Sequence, residues 1–301
     1  MAEGMEEVPV VFGAPKRLRA LNVAAVGSSI AACTAAAFML LLGPHQWTWA
    51  FVVGLPTLFC AVLWAVCLRW RKTTKTGVRY GWLLSIPLAA LCSALSGGAF
   101  FAFDLEAFDK GASSVASFVG GSLLGGTFGV VVWLPALLVV LALFGLPIAR
   151  AQRMARLGVA GEERGEILVG VVSAVLGAIS LAVAYLAQKY GQTWMPDVWV
   201  VMAGIGRVIM HLLSLIAIVA GASTAWIARS REKRRQKFVA RVEASEIPGF
   251  RVEKSRVGKV LLRVAPVAHY RVADTTEELF ELDESGSVTH PLQGASRSQS
   301  A

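Results

Sequence analysis

Residues 198–237 read VWVVMAGIGRVIMHLLSLIAIVAGASTAWIARSREKRRQK, and this stretch changes character near its end. Positions 198–228 are apolar apart from Arg207, His211 and a few small polar residues, whereas positions 229–237 are dominated by lysine and arginine. An apolar run of about 20 residues is long enough for a helix to cross a bilayer, and a cluster of positive charge at one end marks the cytoplasmic side. The stretch therefore predicts a membrane-spanning helix that ends in the cytoplasm.

The overall amino-acid composition also indicates a membrane protein. Of its 301 residues, 55% are hydrophobic and only 16% are charged, and the mean hydropathy is +0.60. A soluble protein of this length carries far more charge. The net charge of +9 lies mainly at the ends of apolar runs, so we read it as membrane topology and expect no nucleic-acid partner.

Six apolar runs predict an all-α bundle of six transmembrane helices with both termini in the cytoplasm. The link at 69–79 is rich in arginine and lysine and the link at 150–166 is rich in arginine, so both are placed inside the cell. The link at 104–110 contains three acids and one lysine and is placed outside, together with the short links at 43–46 and 188–197. The expected location is the inner (cytoplasmic) membrane of a bacterium. The predicted spans are 20–42, 47–68, 80–103, 117–148, 167–187 and 198–228.

The remaining segments give the domain organisation. Residues 1–19 form a cytoplasmic tail, 20–228 the membrane domain, 229–237 a basic collar, and 293–301 a polar, disordered end. Residues 238–292 are predicted to form a small β-rich cytoplasmic module, because apolar positions alternate with charged ones from Phe238 onward. Within it, residues 249–264 read as two strands around Val257 and Gly258, and residues 284–287 read as a hairpin turn.

The four cysteines all lie inside apolar runs, without C-x-x-C spacing. We interpret Cys33, Cys60, Cys67 and Cys92 as buried packing residues rather than disulfide or metal ligands. One alternative is a lipoprotein signal that ends at Cys33. The residues after Cys33 continue an apolar helix instead of forming a polar tether, so a retained first span is favoured.

Arg207 and His211 are the ionisable residues well inside the predicted spans, and their spacing of four places them on one helix face. A charge inside a bilayer is a functional hypothesis by default. The run is longer than one crossing needs, so Arg207 lies either at the outer interface or about 12 Å below it. We favour the interface, where Arg207 would pair with lipid phosphate, Asp104 or Glu106.

The fourth run contains Gly121, Gly125 and Gly129, which recur every four residues and form a smooth helix face. Small residues at this spacing let two helix backbones approach closely. The third run carries a matching surface of small residues, among them Ser93 and Gly97. The alternative is a broken, ligand-binding helix near Pro135. Packing is the preferred interpretation, because no charged or amide residue accompanies the glycines.

No catalytic, cofactor or metal motif appears in the sequence, so we expect a protein that is not an enzyme and that needs no cofactor. The first hypothesis is a six-helix anchor that presents residues 238–292 to a cytoplasmic protein partner. The second is a small channel or transporter with a pathway near Arg207 and His211. Either form is compatible with a homo-oligomer. Anionic lipid head groups are the expected ligands of the collar, which comprises Arg229, Arg231, Lys233, Arg234, Arg235 and Lys237.

Overall fold

The computed structural model of the chain is mostly helical and divides into two compact units. The apolar unit comprises Arg17–Ala149 and Glu166–Trp226, and the polar unit comprises Met1–Lys16, Arg150–Gly165 and Ile227–Ala301. The structure describes residues 8–9, 16–42, 52–70, 77–102, 114–156, 163–190, 197–244, 250–255, 258–263, 269–271, 279–282 and 288–291.

Each of the six apolar runs contributes residues to a helix. Among the residues that the structure describes, four stretches are long and apolar enough to cross a membrane by length and composition, which makes the chain compatible with an integral membrane protein. They are Arg17–Leu40, Pro135–Met154, Glu163–Lys189 and Ala203–Glu243. The helices are α1 (Lys16–Leu42), α2 (Gly54–Trp70), α3 (Gly77–Ala102), α4 (Ser114–Val140), α5 (Leu146–Arg156), α6 (Glu163–Tyr190) and α7 (Asp197–Glu243).

A five-residue π-helical segment, Leu141–Gly145, joins α4 to α5. The N–H of Leu146 donates to the carbonyl of Leu141, which is the wider hydrogen-bond pattern of a π-helix. Pro147 supplies a physical reason, since its ring has no N–H and clashes with the carbonyl four residues earlier in a regular α-helix. The helical backbone of the predicted fourth span is therefore continuous, and it widens into a π-helix at Leu141–Gly145.

Small residues bring helices of the apolar unit into backbone contact. A Cβ atom added at Gly97 of α3 would lie 2.6 Å from the carbonyl oxygen of Gly121 in α4, and one added at Gly125 would overlap the carbonyl oxygen of Ser93. A second crossing joins α6 to α7, where a Cβ added at Gly170 would lie 2.6 Å from the carbonyl oxygen of Gly221. Only glycine permits approaches this close.

The outer surface of the apolar unit is itself apolar. Large side chains such as Val131, Leu123 and Trp226 are more than half exposed. The buried positions are instead largely small, including Ala31, Ala217 and Gly221. An apolar exterior of this extent is typical of a surface that faces lipid.

The described strands of the polar unit are β1 (Val8–Pro9), β2 (Phe250–Ser255), β3 (Gly258–Arg263), β4 (His269–Arg271), β5 (Leu279–Leu282) and β6 (Val288–Pro291). They form two small antiparallel sheets with strand orders β1-β3-β2 and β4-β5-β6. Ser255 pairs with Gly258, whose φ of 141° lies in a region that favours glycine, so this residue starts the return strand of the predicted hairpin.

The predicted start of the β-rich module at residue 238 is wrong, because α7 continues through this segment to Glu243. The buried positions are Val239 and Val242, which are spaced as on a helix face, and not the alternating set that begins at Phe238. Ala240, Arg241 and Glu243 in this segment are good helix formers. The described strands after the helix begin at Phe250.

Replacement of Gly125 by alanine tests the contact between α3 and α4. Gly125→Ala should destabilise the protein by about 1 to 3 kcal/mol, because its Cβ overlaps the backbone of Ser93. Gly120→Ala is the matched control, since a Cβ there meets no atom within 4 Å. The control should leave stability unchanged or raise it by up to about 1 kcal/mol through helix propensity. Equal thermal midpoints for the two variants in detergent would contradict the contact.

Candidate functional site

The basic collar is part of a helix with one inward face. Ala228, Arg235, Val239 and Val242 are buried, and they recur at helical spacing along α7. Between them, Arg229, Lys233, Arg234 and Lys237 are exposed, and Arg231 is half-buried. The collar therefore divides into a surface set of cations and one inward arginine.

Arg235 departs from the predicted role of a lipid-facing cation. Its Nη1 atom lies 3.5 Å from Oε1 of Glu163, and the two side chains are 5% and 3% exposed. The physical reason is that a buried guanidinium needs a charged partner to offset its lost hydration. Glu163 supplies that partner from the first turn of α6, where a carboxylate also interacts favourably with the helix dipole.

A second ion pair lies at the surface beside the first. Nε of Arg164 donates to Oε1 of Glu232 at 3.1 Å, and Gln236 donates to the same carboxylate oxygen at 3.3 Å. Arg164 is 77% exposed in its side chain, whereas Glu232 is 16% exposed. Consecutive residues of α6, Glu163 and Arg164, thus bind the end of α7 through one buried and one exposed contact.

The end of α7 also holds the first β-hairpin. Nζ of Lys259, the second residue of β3, lies 2.7 Å from a carboxylate oxygen of Glu243. Leu261 and Leu262 of the same strand are buried. Pro9 and Val8 of the N-terminal tail pair with Leu262 and Arg263 along the other edge of β3. The polar unit therefore joins the N-terminal tail, the start of α6, the end of α7 and the hairpin.

Exposed cations extend the basic surface of the polar unit beyond α7. In α5, Arg150 and Arg153 are exposed, whereas Ile148 and Ala151 are buried. Arg150 and Arg153 belong to the polar unit, as do the collar residues. A surface of this kind attracts anionic groups, with a strength that falls as the salt concentration rises.

Arg207 and His211 lie on α7 in the apolar unit, four residues apart as expected. Nδ1 of His211 lies 2.8 Å from the backbone carbonyl oxygen of Arg207. Arg207 is exposed, whereas Ala203 and Met210, one helical turn before and after it, are buried, so the arginine lies at the edge of the buried face of α7. The suggested partners Asp104 and Glu106 lie outside the described residues.

The predicted glycine face lies where α4 crosses α3. Gly121 and Gly125 contact Gly97 and Ser93, which belong to the surface proposed from the sequence. Gly129 lies in the same helix, and its surroundings are outside the described residues. Sequence reasoning missed the equivalent crossing at Gly170 and Gly221, although both glycines are visible in their apolar runs.

No metal centre is evident in the part of the chain that the structure describes, since it holds no group of three or more His, Cys, Asp and Glu able to bind an ion. Comparisons of the chain with protein-family models, with curated proteins and with solved structures found no match.

Removal of the Glu163 charge tests the buried ion pair. Glu163→Gln should destabilise the protein by about 3 kcal/mol or more, because it leaves the Arg235 charge buried beside a neutral amide. Glu232→Gln, which weakens the neighbouring exposed pair, should cost less than about 1 kcal/mol. Thermal unfolding in detergent measures both.

A double variant separates charge burial from general damage. Glu163→Leu combined with Arg235→Met removes both charges and fills the space with apolar atoms, so it should recover most of the loss. A double variant no more stable than Glu163→Gln would contradict the ion-pair explanation.

Proposed function

We propose that the chain is a non-enzymatic, multi-pass protein of the bacterial inner membrane, in which six helices anchor a cytoplasmic unit that binds a protein partner. The observation that carries this proposal is the assembly of the polar unit. Arg235 and Glu163 form a buried ion pair, and Lys259 and Glu243 fix the hairpin to the end of α7. Such contacts hold a defined polar surface in place, which is what recognition by a partner requires.

The set of chain segments that make up the polar unit supports the six-helix topology. Its three segments, Met1–Lys16, Arg150–Gly165 and Ile227–Ala301, form one compact unit, so they belong in one compartment. An even number of crossings then separates each segment from the next. Two crossings in α6 and α7, and four between residues 17 and 149, meet this condition. The three shorter apolar stretches, Gly54–Leu68, Leu83–Ala99 and Val115–Thr127, lie among those four.

The exposed cations give the polar unit its orientation. Arg229, Lys233, Arg234 and Lys237 project from α7 where the apolar run ends, and Arg150 and Arg153 do so from α5. Clusters of this sign next to a membrane helix remain on the cytoplasmic side and bind anionic lipid head groups. We therefore assign the polar unit to the cytoplasm and these six cations to the lipid surface.

The position of Arg207 favours an anchor over a channel or transporter. A pathway through the bundle requires its selective charge to face the interior. Arg207 is instead exposed, at the edge of the buried face of α7. It suits a contact with lipid phosphate at the outer interface better than a role in ion selection.

Two variants distinguish an anchor from a transporter. A chain that ends at Ala244 keeps α7 and its buried Val242 intact while it lacks the hairpin and all that follows. This variant should insert into the membrane and lose the partner that the full chain retains on affinity capture. Arg207→Ala should keep the partner, and removal of residues 293–301 is the matched control for truncation.

Two measurements give the outcome. The first is which proteins are captured with each variant, and the second is whether each variant restores the function that is lost when the gene is deleted. The anchor proposal fails if the chain ending at Ala244 restores that function while Arg207→Ala, at normal protein level, does not. That pattern would place the activity in the membrane helices and would favour solute passage.

A further inference from the structure

Strand β2 lies at the edge of the first sheet of the polar unit. Within the part of the chain that the structure describes, the strand order β1-β3-β2 gives β2 a neighbouring strand on one side only. All six of its residues pair with β3, as far as the closing pair of Ser255 and Gly258. On the far side of β3, β1 pairs through two residues. Each chain therefore holds little more than a two-stranded hairpin here, and such a hairpin gains stability from further strands.

The register of the hairpin shows which backbone groups of β2 reach its outer edge. Two residues separate Ser255 from Gly258, and residues that flank a two-residue loop are hydrogen-bonded to each other. Hydrogen-bonded pairs alternate along an antiparallel ladder, so Glu253 and Arg251 also direct their N–H and C=O groups to β3. The alternate residues direct theirs to the outer edge, where they can bind another strand. They are Phe250, Val252 and Lys254.

The side chains of β2 carry charges of both signs. Arg251, Glu253 and Lys254 are exposed, and Val252 is half-buried. Residues two apart in a strand point to the same face of the sheet, so Arg251 and Glu253 lie on one face, with Val252 midway between them in the chain. An arginine and a glutamate placed symmetrically about one residue become opposite partners when the strand pairs antiparallel with a copy of itself.

Backbone geometry limits the registers of such a symmetric pair. Both strands must present their outer-edge N–H and C=O groups to each other, so the two-fold axis passes through a residue and not between two residues. With the axis at Arg251 or at Glu253, like charges lie directly opposite, which is unfavourable. With the axis at Val252, Arg251 of each copy lies opposite Glu253 of the other. This register also uses all three outer-edge residues of both strands.

We propose that the chain forms a homodimer through antiparallel pairing of β2 with β2 of a second copy, centred at Val252. The two three-stranded sheets join into one sheet of six strands, in which each hairpin gains a neighbour. Arg251 and Glu253 form two ion pairs at non-hydrogen-bonded positions, where facing Cα atoms are about 4.5 Å apart. This association goes beyond the anchor function and does not depend on it.

The order of the charges distinguishes this edge from one that is merely protected. Charged residues on edge strands commonly prevent unwanted pairing. In β2, however, Arg251 and Glu253 attract a second copy in one register and repel it in the registers one step to either side. An arrangement that is complementary to itself in this way selects both the partner and the register.

Charge exchange in the full chain in detergent tests the pairing. Arg251→Glu and Glu253→Arg each place two sets of like charges opposite each other, so each should raise the dimer dissociation constant about tenfold or more. An equimolar mixture of the two variants should associate as the wild-type chain does, because every arginine then faces a glutamate. Recovery on mixing also shows that both variants are folded. Analytical ultracentrifugation, corrected for bound detergent, measures the dissociation constants.

Two further variants serve as controls for charge. Arg251→Glu combined with Glu253→Arg reverses both ion pairs without changing the composition of the chain, so it should restore the wild-type dissociation constant to within about threefold. Lys254→Glu changes the charge by as much as Arg251→Glu does, in the same strand. Lys254 lies opposite Phe250 in the proposed register, so this variant should also stay within about threefold of the wild-type value.

Disulfide formation tests the register. Val252→Cys places a thiol at the two-fold axis, with Cα atoms about 5.5 Å apart across a hydrogen-bonded pair, which is within the range of a disulfide. Lys254→Cys leaves its two thiols about 14 Å apart along the strands. On mild oxidation in membrane vesicles, the first variant should yield a covalent dimer and the second should not. The wild-type chain is the blank, since its cysteines lie in α1, α2 and α3.

Three results would overturn the proposal. The first is a wild-type chain that stays monomeric in detergent together with no covalent dimer from Val252→Cys. The second is a dimer that neither charge variant weakens, or one that only Lys254→Cys converts to a covalent form. The third is a monomeric chain whose charge variants lose a captured protein, which would assign the outer edge of β2 to a strand of that protein instead.

Discussion

The constraint on which this structure depends is that segments in contact within one polar unit belong on one side of a membrane. Charged side chains avoid the hydrocarbon region, and backbone can cross it only when its own hydrogen bonds are complete. Glu163 at the start of α6 and Arg235 near the end of α7 form an ion pair. In the proposed topology, the chain between these two residues therefore crosses the membrane an even number of times. The same reasoning applies to α1 through α5, since the N-terminal strand pairs with β3.

The sequence predicted the helices well and the polar contacts poorly, for a physical reason. Long apolar runs and the positive charges at their ends are local signals, so the positions of the helices followed from the sequence pattern alone. The burial of Arg235 depends on Glu163, which is distant in the chain, and no local pattern distinguishes Arg235 from its exposed neighbour Arg234. The alternation of apolar and charged residues from Phe238 led to a wrong prediction of a strand, because a pattern over seven residues fits either a strand or the end of a helix. The burial of Val239 and Val242 favours the helix.

The glycine contacts show the same division. The recurrence of Gly121 and Gly125 is a local pattern, so the sequence predicted a smooth face and even the surface that receives it. Gly170 and Gly221 belong to different helices and do not repeat in this way, so their contact is a product of the fold.

The most direct test of the shared compartment is labelling of single introduced cysteines in sealed vesicles of known orientation with a charged, membrane-impermeant maleimide. The wild-type chain is the blank, since its four native cysteines lie inside apolar helices. Cysteines at positions 4, 164 and 237 should all be labelled in inverted vesicles and protected in right-side-out ones. Those at positions 110 and 192 should show the reverse. Labelling of any one of the first three from the opposite face would contradict the account.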